Sequence, residues 1–131
     1  MSANPPTPPV GTVGWFDLTV PDATLVRDFY QAVVGWSATE VDMGGYADFM
    51  MNVPSTGTGV AGVCWKRGGN AALPSQWLIY ISVADLAGSL AACEAGGGSV
   101  VLPPREMGSY GRYAVIRDPA GAVCALIQPP G

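Results

Sequence analysis

The chain has 131 residues, 49% of them hydrophobic and 12% charged, about half the usual charged share, which excludes a disordered body. Ten acidic against six basic side chains give a net charge of −4, so no basic footprint exists for nucleic acid or an anionic membrane surface. Histidine is absent, which excludes His-ligated metal centres, Ser-His-Asp triads and imidazole acid–base chemistry.

Cys64, Cys93 and Cys124 are too scattered for a disulfide framework or a Cys-x-x-Cys site, and are expected as small apolar core residues. The first residues lack the charged start and apolar run of a signal peptide. No stretch of about 20 residues is apolar enough to span a bilayer. The expectation is a cytoplasmic protein.

Residues 1–11 carry four prolines and no apolar period, and are expected as a flexible arm ahead of a single domain over 12–131. Val13–Val20 favours a strand that Pro21-Asp22 ends, with Asp22 as a helix N-cap. Leu25, Val26, Phe29, Ala32 and Val33 recur at helical spacing up to Gly35, which predicts a helix over 23–34. Phe29 and Trp36 are expected in the core. Strands follow at Trp36–Val41, Tyr46–Val53 and Val60–Lys66, separated by Gly44-Gly45 and Pro54-Ser-Thr-Gly57.

After a connector over 67–75 the same order returns. Trp77–Val83 alternates as a strand, Asp85 is a second N-cap, and Leu86, Leu90, Ala91 and Cys93 mark a helix over 86–96 that Gly96-Gly97-Gly98 ends. Strands are expected at Ser99–Leu102, Arg112–Arg117 and Ala122–Gln128, with Asp118-Pro-Ala-Gly121 as a tight turn. Laying residues 15–36 over 78–99 matches Val20 with Val83, Asp22 with Asp85, Ala32 with Ala95 and Gly35 with Gly98. The identities fall on strand end, helix cap, helix face and helix stop, so the chain reads as β-α-β-β-β written twice, about 12–67 and 76–129.

This paired pattern resembles the vicinal-oxygen-chelate superfamily, which holds glyoxalase I, extradiol dioxygenases and bleomycin-resistance proteins. The resemblance rests on Leu18-Thr-Val-Pro-Asp22 with Phe29-Tyr30 and Gly35-Trp36, then Val83-Ala-Asp85, and Gly111-Arg-Tyr-Ala-Val-Ile-Arg-Asp-Pro-Ala-Gly121 running into Ala125-Leu-Ile-Gln-Pro129. It implies an α+β fold of two tandem modules whose curled mixed sheets surround a central cavity, with helices on the outer face. The metal enzymes of that superfamily draw ligands from four strand positions, which fall on Trp15, Leu78, Ala125 and one residue within Gly62–Trp65. None of these supplies a hard ligand. The expectation is therefore a protein with no metal and no cofactor.

Strand alternation gives the expected cavity lining. If, as the resemblance implies, Trp15 points inward, Asp17 and Thr19 follow by that alternation, Leu78 brings Tyr80 and Ser82, and Val115 brings Tyr113. Trp65 and Ala125 complete the candidate ligand-binding set, although the face of residues 60–66 stays open. Asp17 is the one candidate for catalysis, either as a ligand-orienting anion or general base, or as a strand carboxylate tied to Arg112, Arg117 or Lys66. The tyrosines could donate to a ligand or simply pack. Apolar walls with sparse polar groups suit a small molecule.

Three readings follow. One is a metal-independent protein that binds a small, partly apolar molecule. Another is a metal-free isomerase, cyclase or lyase using Asp17 with a tyrosine. The third is a metal-dependent lyase or dioxygenase with an all-carboxylate site. A homodimer is expected, because low charge leaves apolar surface to cover and members of the superfamily commonly pair.

Overall fold

The computed structural model describes residues 7–130, so the first six residues of the expected Pro-rich arm lie outside the described residues. The elements run β1 (Val13–Val20), α1 (Ala23–Val34), β2 (Ser37–Asp42), β3 (Ala47–Asn52), β4 (Gly59–Trp65), β5 (Trp77–Ser82), α2 (Leu86–Ala95), β6 (Ser99–Glu106), β7 (Arg112–Arg117) and β8 (Val123–Gln128). Both halves read β-α-β-β-β.

The helices start and stop where the cap residues dictate. Asp22 Oδ1 accepts from the Leu25 N–H at 3.1 Å, and Asp85 Oδ1 accepts from the Gly88 N–H at 3.2 Å. Each carboxylate satisfies one amide that the first helical turn leaves without a partner. Gly35 ends α1 at φ +88°, its N–H donating to the Gln31 carbonyl at 3.0 Å. A side chain would strain that left-handed geometry. No helix among the described residues is long and apolar enough to cross a membrane.

The described residues form two compact units, Trp15–Leu78 and residues 79–130 together with residues 7–14. In the first, the strand order is β2-β3-β4-β1, with β1 parallel to β4 and the other neighbours antiparallel. In the second, the order is β5-β8-β7-β6, with β5 parallel to β8. The fold is therefore α+β with mixed sheets. Within the second unit, Ser82 exchanges backbone hydrogen bonds with the segment before β1, accepting from Gly11 and donating to Thr12 at 2.8 and 2.9 Å.

The strand expected at Ser99–Leu102 continues through Pro103 and Pro104 to Glu106. As β6 closes the strand order on that side, one of the two prolines can face the free edge, and the other falls in an irregular stretch where neither is paired with β7. The register with β7 shifts twice, between Val100 and Leu102 and between Leu102 and Arg105, around that run.

Each helix packs on one face of its own sheet and leaves the other face free of helix. Leu18, Val20, Phe49, Met51, Ala61 and Val63 meet Ala23 of α1 in the first unit, while Leu86 of α2 meets Ala114 and Leu126 in the second. The expectation that Phe29 lies in the core needs correcting. Val26 packs on the core, but Leu25, Phe29 and Val33 are 65%, 55% and 63% exposed. Tyr30 takes the inward place. Its ring packs against Trp36 and Trp77 at 5.9 and 5.4 Å between centroids, and its hydroxyl accepts from Trp77 Nε1 at 3.1 Å. An aromatic with a satisfied polar tip anchors the helix face and turns Phe29 outward.

Candidate functional site

Because Leu18 and Val20 point to α1, alternation along β1 sends Trp15, Asp17 and Thr19 to the helix-free face. Register extends that face across the sheet. Asp17 stands opposite Gly62 and Thr19 opposite Cys64 on β4, while Met50 of β3 stands opposite Gly62 on the other side. Phe49 pairs with Val63, so its neighbour Asp48 falls on the same face as Cys64.

The centre of this face is a fixed carboxylate. Trp15 Nε1 donates to Asp17 Oδ1 at 2.7 Å, within the range of a charge-assisted bond. Gly62 makes room for it, since a methyl group there would overlap Asp17 Oδ1 and approach Trp15 Nε1 to 3.6 Å. Thr19 is buried beside this pair. The arrangement sets an aromatic ring, a held anion and a buried hydroxyl along one strand.

Cys64 completes the surrounding chemistry. Burial, first, pushes its thiol well above the ordinary value, and the negative charges of Asp17 and Asp48 with a hydrogen bond to Asp48 push the same way. The sulfur therefore stays protonated and is no nucleophile near neutral pH. Asp48 Oδ1 also accepts from the Trp65 N–H at 3.0 Å, which ties β3 to the end of β4.

Trp65 lies on the other face of the sheet. It is in register with Val20, packs against the α1-side core and donates its indole N–H to the Ala47 carbonyl at 3.0 Å. Leu78 is fully buried on β5. In the second unit, Tyr80 and Val115 both stand opposite Ala125, and Tyr113 lies opposite Ile127. These residues share the helix-free face, because Ile81, Ala114, Ile116 and Leu126 pack on the α2 side. The rings of Tyr80 and Tyr113 lie 6.0 Å apart between centroids. Sequence reasoning put all of these residues in one candidate set; the structure places Trp15, Asp17 and Thr19 together on one face of the first unit, and Tyr80, Tyr113, Val115 and Ala125 together on one face of the second. Sequence reasoning missed Gly62, Cys64 and Asp48. A glycine inside an apolar strand was the available signal for Gly62, since it marks a close approach.

The positions where the resemblance sets metal ligands do not fit a divalent cation. The Trp15 indole is a donor with its hydrogen committed to Asp17, while Leu78 and Ala125 carry no donor atom at all. Within Gly62–Trp65 the only soft ligand is Cys64, held as a thiol. No group of three His, Cys, Asp or Glu side chains gathers among the described residues.

Residues 12–126 match the model of the Glyoxalase/Bleomycin resistance protein/Dioxygenase superfamily. The chain is 34% identical to the anthracycline biosynthesis protein DnrV of Streptomyces peucetius over an alignment that covers 88% of this chain and 46% of DnrV. It is 30% identical to CFP32 of Mycobacterium tuberculosis over 119 residues, 91% of this chain and 44% of CFP32. It therefore spans less than half the length of either relative. A methylmalonyl-CoA epimerase of Streptomyces coelicolor shares the fold, with a TM-score of 0.56 at 17% identity over 94% of this chain and all of that one. The duplicated β-α-β-β-β order and the match over residues 12–126 make this chain a member of the glyoxalase/bleomycin resistance protein/dioxygenase superfamily.

Proposed function

We propose that this chain is a metal-independent, glyoxalase/bleomycin-resistance-like protein that holds a small, planar, partly apolar molecule against Trp15, Asp17 and Thr19. The bond from Trp15 Nε1 to Asp17 Oδ1 carries the reading. It fixes an anion on a helix-free sheet face while the ring of Trp15 offers a stacking surface, and neither role needs a metal. A held carboxylate orients a ligand that brings a hydrogen-bond donor or a cation, and the net charge of −4 favours neutral or cationic molecules. The name of DnrV, an anthracycline biosynthesis protein, points to planar polycyclic chemistry of that kind.

The test is a titration with an anthracycline in the presence of EDTA, followed by tryptophan fluorescence. The expected result is saturable quenching, unchanged by EDTA, and an affinity reduced about 10- to 100-fold by Asp17→Asn, the scale of one charged hydrogen bond. Binding that EDTA abolishes and a divalent metal restores would overturn metal independence. Equal affinity in Asp17→Asn, or no saturable binding in the parent, would overturn the ligand site.

A further inference from the structure

We propose that Cys93 and Cys124 form a redox-sensitive pair in the second unit, which a small disulfide such as oxidised glutathione closes reversibly into an intrachain bridge. Cys93 stands on α2 at helical spacing from Leu86 and Leu90, through which that helix packs on its sheet. Its thiol donates to the Ser99 carbonyl, with sulfur and oxygen 3.9 Å apart. Cys124 stands on β8 opposite Ile116 of β7. Ile116 packs on the α2 side, and residues directly opposite in an antiparallel pair share a face. Both thiols therefore enter the layer between α2 and its sheet.

They also enter it at the same end. Ser99 stands opposite Arg117, and Arg117 stands opposite Val123, the neighbour of Cys124. A Cβ on Gly98 would lie 2.7 Å from both the Cys93 sulfur and the Arg117 carbonyl oxygen, so the sulfur sits beside the end of β7. Electrostatics agrees with that placement. Burial, then Asp118, then Cys93 raise the Cys124 thiol, and a charge on Cys93 acts on its neighbour only at short range. Neither cysteine is fully buried, which leaves the pair open to a small reagent. Cys64 belongs to the first unit and is held as a thiol.

The chemistry balances as two exchanges. Cys93 gives its proton to solvent, and its thiolate attacks one sulfur of the small disulfide. The S–S bond of the reagent breaks, and its other half leaves as a thiolate. Cys124 then loses its proton and attacks the Cys93 sulfur of the mixed disulfide, which releases the second half. The two departing thiolates take up two protons, and two electrons have passed from the cysteine pair to the reagent. The bridge ties the last turn of α2 to β8 and closes a loop of about 30 residues.

The test is incubation of the folded chain with oxidised glutathione at about pH 8.5, where thiolates form, followed by intact mass and peptide mapping. The parent should lose about 2 Da, the two hydrogens of a new bridge, and carry no glutathione. Its map should join the Cys93 and Cys124 peptides and leave Cys64 free, and dithiothreitol should restore the original mass. Cys124→Ser should instead retain one glutathione on Cys93, because the second exchange has lost its nucleophile. A parent whose Cys93 and Cys124 stay free overturns the proposal. So does a parent that keeps glutathione on either cysteine, or one whose bridge runs to Cys64 or to another chain.

Discussion

Trp15 donates its indole N–H to the carboxylate of Asp17, two residues further along the same strand, at 2.7 Å. Residues i and i+2 of a strand share a face, so one side chain orients the other without help from a distant element. Trp15→Phe keeps the ring and deletes the donor. We expect a loss of about 1.5–3 kcal/mol, the range for a hydrogen bond to a charged group. Urea denaturation of the parent and the variant measures it. A change under about 0.5 kcal/mol, no more than an ordinary surface substitution, would show that the bond does not hold the carboxylate.

Gly62 is the floor beneath that carboxylate. Gly62→Ala introduces a methyl group that overlaps Asp17 Oδ1, and should cost about 1–3 kcal/mol, as overpacking does. The same change made on an Asp17→Ala background should cost less than half as much, since the obstructing oxygen is gone. A double-mutant cycle reads the difference as a coupling energy. Additive costs would place the strain elsewhere.

Cys64 predicts a pH effect with a definite sign. Burial, followed by the charges of Asp17 and Asp48, raises its thiol above the ordinary value near 9. The folded chain therefore keeps a proton that the unfolded chain releases above that pH. The stability this contributes is complete below pH 9 and falls as pH rises further. Cys64→Ser should flatten most of the alkaline decline in urea-unfolding free energy. Cys124, also raised chiefly by burial, should leave a shallower residual slope. A decline of the same steepness in Cys64→Ser would refute the assignment.

Asp22 provides a contrast to Asp17 within six residues of sequence. It caps α1 from an exposed position through Leu25 N–H. Asp22→Ala should lower stability by about 1 kcal/mol. Anthracycline affinity should stay at the parent value, measured on the same sample as the melt. A loss of affinity as large as that of Asp17→Asn would mean that the two aspartates report one structural effect.

Much of this could be read in the sequence because it rests on local chemistry. Asp22 with Gly35, and Asp85 with Gly96, bracket helices that run Ala23–Val34 and Leu86–Ala95. With Trp15 placed by the resemblance, alternation along β1 set Asp17 on the face opposite Leu18 and Val20. What stayed hidden depends on partners distant in sequence. The face of Trp65 is set by the register of β4 on β1, where Trp65 stands opposite Val20, a pairing between segments 45 residues apart that the local pattern does not announce. Asp48 gains its role only when β3 lies beside Cys64. The outward turn of Phe29 follows from the bond between Tyr30 and Trp77, which are 47 residues apart. The prolines of β6 read as a strand end because their place at the edge of the strand order is a property of topology.

Native mass spectrometry of freshly purified protein tests the central claim, that Asp17 orients a small organic ligand without a metal. The parent chain should carry an organic adduct and no stoichiometric divalent ion, and Asp17→Asn should emerge folded with the adduct lost. About one zinc, iron, manganese or nickel ion per chain, or an adduct retained equally by Asp17→Asn, would contradict the account.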